Sequence, residues 1–323
     1  MTPAPGIGSR RMAMVLAAAL LVGLLLLALL RLDLWRVGAE LSQARPAWIL
    51  AALLCFAAIL PLWAVQWWLL APATDARTVR NMFAVVAMTA SVLNTTPMLV
   101  GEAAGVWFLA STAGVEHAAG IAVLAMDQLL VGLVKVTLLG SASLAAPLPP
   151  VMRAGVRALT AGVLALTFVL LLLAWGGGRS HQRIGRWLPA RLASITIRAA
   201  AGLAPLRSPL RGGGAFVIAL AKKCAELLAI LAIQRAFGVN LPPSSALVVL
   251  AALDLATLLP IVPGNAGVYE AAIVLAYAWY GVPPERALGM AVVQHACYFV
   301  ALALPGYRWL AAGMAPQRAA AAP

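Results

Sequence analysis

The sequence predicts an all-α membrane protein with about seven to eight spanning helices, additional re-entrant half-helices and two inverted repeats. Of its 323 residues, 63% are hydrophobic and only 10% are charged, and the mean hydropathy is +0.96. The apolar stretches are long and rich in Leu and Ala, which fits helices, whereas the strands of a membrane β-barrel would alternate. No stretch is polar and long enough to form a soluble catalytic domain, so any activity is expected within the bilayer or at its surface.

Two segments, one in each half of the chain, have matching patterns. Each contains a proline, then a glycine, then a glutamate that precedes an apolar stretch: LNTTPMLVGEAA at 93–104 and LPIVPGNAGVYEAA at 259–272. Helices broken at corresponding places in two halves are typical of transporters whose binding site lies between inverted repeats. The predicted order is N-terminal helices in 1–81, a first repeat in 82–175, a basic loop in 176–214 and a second repeat in 215–312.

Proline and glycine clusters divide the chain into ten predicted helices. Those at 82–93 and 102–113 would be about 18 Å long at 1.5 Å per residue, too short for a hydrocarbon core of about 30 Å. We therefore interpret them as a re-entrant hairpin, with the segment 268–280 as a second half-helix. The other predicted helices are 12–30, 47–70, 118–140, 154–175, 215–237, 244–261 and 286–312.

The positive charge of the chain is concentrated in the basic loop. The net charge is +13, and residues 176–214 contain seven arginines and no acid. Nucleic acid is one partner for such a run, but a cytoplasmic loop in contact with anionic lipid fits a membrane protein better. A short helix on the inner leaflet and a disordered linker both fit the pattern around Arg191 and Arg198. If this loop is cytoplasmic, both termini lie on the cytoplasmic side of a bacterial inner membrane. The two hairpins that contain the matching segments then open to opposite faces of that membrane.

Glu102 and Glu270 are the first candidate site residues. Each is expected in the first turn of a helix after a glycine (Gly101 and Gly267), where the positive helix end stabilises an anion. Each glutamate could simply cap its own helix. Because acids at membrane depth are costly, we favour a role in binding a lipid headgroup.

Four further groups are candidates inside the membrane. Asp127 and Lys135 share a helix but lie eight residues apart, about 12 Å, and cannot pair directly. Asp254 is expected either to pair with Lys135 or to line a cavity. His295 is either a hydrogen-bonded core residue or a proton carrier.

A lysine pair on one predicted helix is expected to serve a structural role. Lys222 and Lys223 lie four and three residues before Glu226 and can both pair with it. With Arg191 and Arg198, they are also candidates for contact with lipid phosphates. The tryptophans at 63, 67 and 68 lie near a predicted helix end and are interpreted as interfacial anchors.

Motifs for classical catalysis are missing from the sequence. The three cysteines lie in apolar stretches without CxxC or His/Cys spacing, so disulfide and zinc sites are not expected. There is no Walker loop, Ser/His/Asp pattern or metal-ligand spacing. We expect a protein that is not an enzyme and needs neither metal nor cofactor.

These motifs resemble those of the flippase-like integral membrane family typified by the membrane region of lysylphosphatidylglycerol synthases, which includes hopanoid-associated membrane proteins. The matching pieces are the segments 97–102, 123–128 and 262–270. The resemblance implies a helical bundle with re-entrant hairpins that moves a lipid between leaflets. Family members often have one arginine where this chain has Tyr269 and another where it has Gln128. A third arginine often follows shortly after the glutamate that corresponds to Glu102. Their loss fits a neutral, zwitterionic or isoprenoid-derived lipid at least as well as an anionic one.

The sequence is compatible with three functions. The first is lipid translocation, with the headgroup in a cavity near Glu102, Asp127, Asp254 and Glu270. The second is a membrane subunit that transports nothing and scaffolds enzymes of a glycolipid or hopanoid pathway. The third is proton-coupled transport of a small molecule.

Overall fold

The computed structural model describes residues 34–96, 98–145, 150–175, 208–257 and 263–312, and within these ranges every regular element is a helix. The predicted helix 12–30, Arg191, Arg198 and most of the basic loop lie outside the described residues. The α-helices are α1 Leu34–Gln43, α2 Pro46–Ala57, α3 Ile59–Leu70, α4 Val79–Leu93, α5 Met98–Ala113, α6 His117–Ala145, α7 Pro150–Trp175, α8 Pro209–Ala236, α9 Ser244–Ala256, α10 Val268–Ala278, α11 Pro284–Leu302 and α12 Leu304–Ala311, with a 3-10 turn at Pro263–Asn265 before α10.

Among the described residues, three stretches are long and apolar enough to cross a membrane: Pro46–Leu70, His117–Ser141 and Pro284–Ala311. The first combines α2 and α3, and the last combines α11 and α12. The helices α4 and α5, of 15 and 16 residues, are about 22–24 Å long at 1.5 Å per residue and shorter than the hydrocarbon core. The structure therefore confirms the predicted all-α polytopic membrane protein.

Several helix boundaries differ from the prediction. The helix α8 begins at Pro209, inside the segment predicted as loop, because the Ser208 hydroxyl accepts a hydrogen bond from the Arg211 N–H and proline suits the first helical turn. The helix α5 begins at Met98, four residues before the predicted start at Glu102. Gly101 thus lies inside the helix, and its lack of a side chain permits contact with α4, since a Cβ there would lie 2.7 Å from Leu93 Cα.

The helices form two sets that pack in the same way. The first set is the Pro46–Leu70 stretch with α4 to α7, and the second is α8 to α12. In this comparison Pro46–Leu70 corresponds to α8, and α4, α5, α6 and α7 correspond to α9, α10, α11 and α12. The contact of α4 with α12 then has its counterpart in the contact of α9 with α7. The contact of α6 with α8 has its counterpart in that of α11 with Pro46–Leu70. The contacts of α4 with α5 and α5 with α6 likewise become those of α9 with α10 and α10 with α11. This correspondence is the one that two structural repeats produce.

The tips of the two hairpins meet inside the bundle. A Cβ at Gly264, before α10, would lie only 2.8 Å from the carbonyl oxygen of Asn94, after α4. Gly264 and Asn265 have φ angles of +64° and +54°, in the left-handed region that glycine and asparagine tolerate best. This tip-to-tip contact fixes where the two matching sequence segments lie relative to each other.

An additional amphipathic helix, α1, precedes the bundle. It packs against α11, where Glu40 accepts two hydrogen bonds from the Arg286 guanidinium, at 2.7 and 3.0 Å. The Trp35 side chain is 90% exposed, as suits a helix at the membrane–water boundary.

Candidate functional site

A cavity of about 350 Å³ lies beside the hairpin tips. Residues of α2, α3, α5, α6, α8, α9, α10 and α11 line it, together with Leu93, Gly264 and Asn265 from the two tips. It brings together ionisable side chains that are far apart in the sequence. These are Glu102, Asp127, Lys135, Lys222, Lys223, Glu226, Asp254, Tyr269, His295 and Tyr298.

Asp254 is the centre of a buried ion network. Its Oδ1 atom lies 2.7 Å from Lys223 Nζ of α8 and 3.2 Å from Lys135 Nζ of α6. Lys223 also contacts Glu226 Oε2 at 2.5 Å. The Asp254 residue is only 4% exposed, and a buried acid is stable as an ion only when it is paired in this way. Asp254 therefore both pairs with Lys135 and lines the cavity.

Asp127 has a separate partner. Lys222 Nζ lies 3.6 Å from Asp127 Oδ1, which is too long for a hydrogen bond. That oxygen is buried without a hydrogen-bond partner in the described part of the chain. Lys222 also lies 5.2 Å from the centre of the Trp63 ring, within range of a cation–π contact. The expected pairing of Lys222 with Glu226 is wrong, because Asp127 of the neighbouring helix attracts this lysine instead.

Glu102 faces the cavity from α5. Its Oε1 atom accepts a hydrogen bond of 3.1 Å from Gln128 Nε2 of α6. The expectation that it stands in the first turn of its helix is wrong, since α5 already begins at Met98. The helix end therefore does not stabilise this carboxylate, and no cationic side chain pairs with it in the ranges described above.

Glu270 both caps α10 and contacts the cavity wall. Its Oε2 atom accepts a hydrogen bond of 2.7 Å from the Gly267 N–H, closing the first turn of α10. Its Oε1 atom lies 2.6 Å from His295 Nδ1 of α11. The His295 ring stacks on the Tyr269 ring with centroids 4.3 Å apart, and the Tyr269 hydroxyl accepts a hydrogen bond from Gln294. Capping is therefore real, but it uses only one of the two carboxylate oxygens.

The structure brings most of the predicted site residues to one place. Glu102, Asp127, Asp254 and His295 line the cavity, and Glu270 reaches it through His295. Gly101 and Gly267 act through the backbone, the first in the contact of α5 with α4 and the second with a φ of +81° before α10. The proposed phosphate contacts Arg191 and Arg198 lie outside the described residues.

Sequence reasoning missed several residues of the site. Trp63 lines the cavity and Trp67 is 1% exposed, so neither is the interfacial anchor that its place near a helix end suggested. Gln128 and Asn265 also line the cavity. The signal for Gln128 was its position beside Asp127. No signal existed for Trp63, because its partner Lys222 comes from another helix.

The described residues contain no group of three or more His, Cys, Asp or Glu side chains arranged to hold a metal ion. Within them, the three lysines of the cavity instead pair with acids. A cavity of this kind has room for polar groups of a ligand and hydrogen-bonding partners for them.

Apolar helices that enclose paired charges and a cavity bordered by ionisable side chains define a polytopic integral membrane protein. The model of the family described as the lysylphosphatidylglycerol synthase TM region matches residues 14–306. The chain therefore belongs to this family, which confirms the resemblance seen in its motifs. Neither a curated protein nor a solved structure gives a significant match.

Proposed function

We propose that this protein moves a lipid across the bacterial inner membrane, with the lipid headgroup bound in the cavity beside the hairpin tips. The observation that carries the proposal is the set of ionisable groups gathered around this cavity, inside a chain of a lipid-related membrane family. Burying ionisable groups in a membrane costs free energy, and groups kept there usually have a functional role. A headgroup passing through the bilayer needs polar contacts of this kind.

The charges favour a neutral or zwitterionic headgroup. Lys135, Lys222 and Lys223 each have an acidic partner, so the cavity carries no unpaired cluster of positive charge that would suit an anionic one. Glu102, whose partner among the described residues is Gln128, is the acid best suited to accept hydrogen bonds from a hydroxyl or ammonium group. Movement would be non-enzymatic and without a bound cofactor.

The proposed orientation has both termini and the basic loop in the cytoplasm, where arginines of the loop contact anionic lipid. A single cysteine at Ser194→Cys, in a background without native cysteines, tests it. A membrane-impermeant thiol reagent should label this cysteine only after access to the cytoplasmic face. Labelling from the opposite face would reverse the orientation.

The function is tested with purified protein in liposomes. Headgroup-labelled lipids are quenched from outside, and loss of the protected inner-leaflet signal reports translocation. Glu102→Gln and Glu270→Gln should slow this loss strongly, whereas Glu285→Gln should not, because Glu285 lies at the start of α11 and away from the cavity. Unchanged movement in Glu102→Gln would contradict the assigned site.

Absence of movement across a broad panel of lipids, with the folded state confirmed, would contradict translocation. It would favour the alternative of a scaffold for enzymes of lipid synthesis. Proton-coupled transport is supported by the pair of Glu270 and His295, which also bears on how lipid movement could be driven.

A further inference from the structure

We propose that Glu270 and His295 form the proton-binding site that couples transport by this protein to a proton gradient. The inference deepens the proposed function and rests on it, because it names the ion whose movement would drive the lipid. It is drawn from the contact between these two side chains and from their place between the cavity and the second hairpin tip.

The contact fixes which ring nitrogen is basic. Nδ1 of His295 lies 2.6 Å from Glu270 Oε1, and a carboxylate can only accept a hydrogen bond. Nδ1 therefore carries the hydrogen of the neutral ring, and Nε2 is left as the basic nitrogen. A proton that binds Nε2 from cavity water converts the pair from a net charge of −1 to zero. Loss of the same proton to water restores the original state.

The lysines around the cavity already have acidic partners, and among the described residues Glu102 of α5 has a hydrogen bond from Gln128 but no cationic partner. Lys223 of α8 contacts Glu226 and Asp254, and Lys135 and Lys222 also have acidic partners. The aromatic groups nearest to the pair are Tyr269, stacked on the ring, and Tyr298, one turn further along α11.

The remaining neighbours of α11 bring no charge to the cavity. The residues of α2 and α4 that line the cavity are Phe56 and Leu93. Glu40 of α1 is held by Arg286, which lies nine residues before His295, about 13 Å along the helix. The α12 residue Arg308 lies over the Trp309 ring. Among the described residues of α10 and α11 that border the cavity, Glu270 and His295 thus form a pair in which one added proton changes an unbalanced charge.

The same carboxylate is connected to the hairpin tip. Glu270 Oε2 holds the Gly267 N–H at the start of α10, directly after a tip whose Gly264 and Asn265 have positive φ. That tip contacts Asn94 of the first hairpin. Proton binding at His295 draws the carboxylate toward the imidazolium and weakens its hold on the N–H. A change of charge in the cavity therefore reaches the contact between the two hairpins.

The first experiment measures translocation with and without a pH gradient. Protein is placed in vesicles of phosphatidylethanolamine and phosphatidylglycerol that contain headgroup-labelled phosphatidylethanolamine or, separately, labelled phosphatidylglycerol. For the wild type, we expect an imposed pH difference to accelerate movement several-fold in one direction, and a protonophore to remove the acceleration. His295→Gln and Glu270→Gln should lose it, whereas His117→Gln, at an exposed position outside the cavity, should keep it.

Wild-type movement that proceeds equally with and without the gradient would overturn proton coupling and leave lipid translocation standing. A full response to the gradient in His295→Gln would overturn the assignment of the site. If the wild type moves neither lipid, the proposed function fails, and the proton site is then judged by binding alone.

Binding is measured by magnetic resonance of the histidine side chains in detergent. The chain has three histidines, at 117, 181 and 295, and the three His→Gln variants assign their signals. We expect the His295 signal to change as the pH is lowered, and this change to differ in Glu270→Gln, while the response of the His117 signal is the same in both proteins. A His295 signal that stays constant, or that titrates identically in Glu270→Gln, overturns the proposal.

Discussion

Lys222 of α8 and Asp127 of α6 form an ion pair across the boundary between the two helix sets, with Nζ 3.6 Å from Oδ1. Lys135 and Asp254 form a second pair across the same boundary, between α6 and α9. The corresponding interface between the sets joins α11 to the Pro46–Leu70 stretch, and there an aromatic contact is found instead, with Tyr298 packed edge-on against Phe56. The two helix sets are therefore alike in packing but not in chemistry, and residues of both interfaces line the cavity.

Replacement of Asp254 by asparagine should destabilise the fold strongly. It removes the shared partner of Lys135 and Lys223 and leaves buried positive charge uncompensated, which typically costs about 3–5 kcal/mol in the free energy of unfolding. Asp127→Asn should cost less, because Asp127 has one partner at a longer distance. Denaturation in detergent measures both, with Asp75→Asn in an exposed loop as the control. Equal stability of the Asp254 and Asp75 variants would show that the network does not stabilise the fold.

The bidentate contact of Arg286 with Glu40 should contribute less than the buried network. These side chains are 36% and 23% exposed, and ion pairs open to solvent are usually worth at most about 1 kcal/mol. A double-mutant cycle with Glu40→Gln and Arg286→Gln should give a coupling energy of about 1 kcal/mol that falls as salt is added. A much larger, salt-independent coupling would mean that α1 is held to α11 in a more buried environment than its exposure indicates.

The contact of α12 with α4 should depend on the small size of Gly306. A Cβ at this position would clash with the Ala87 carbonyl oxygen and the Ser91 hydroxyl, and small residues are what allow membrane helices to approach closely. Gly306→Ala should therefore lower stability by about 1–3 kcal/mol. Gly162→Ala on α7 is the matched control, since its Cβ would meet nothing within 4 Å and alanine is the better helix former. If both variants gained stability, the close approach of α12 would be contradicted.

The fold class followed directly from composition, since long apolar stretches with few charges can only be membrane helices. The two hairpins were predicted from the recurrence of Pro, Gly and Glu. The spacing of Asp127 and Lys135 on one helix predicted that these two side chains do not pair with each other. Helix starts were less predictable, because Gly101 looked like a helix breaker and is in fact a packing residue within α5. The contacts of Lys222 with Asp127 and Trp63 could not be derived, since they join helices whose relative positions depend on tertiary packing.

Gly264→Ala tests the contact between the hairpin tips. Any side chain at a φ of +64° costs about 1 kcal/mol, and here the added Cβ would also lie 2.8 Å from the Asn94 carbonyl oxygen. Gly238 has nearly the same φ, +65°, but its Cβ would meet nothing within 4 Å. Gly238→Ala therefore carries the backbone cost alone, and the difference in unfolding free energy between the two variants reports the tip contact. We expect Gly264→Ala to be less stable by a further 1–3 kcal/mol or so and to move lipid more slowly, because the displaced tip also borders the cavity. Equal stability of the two variants, with equal lipid movement, would show that the tips do not press against each other in the membrane.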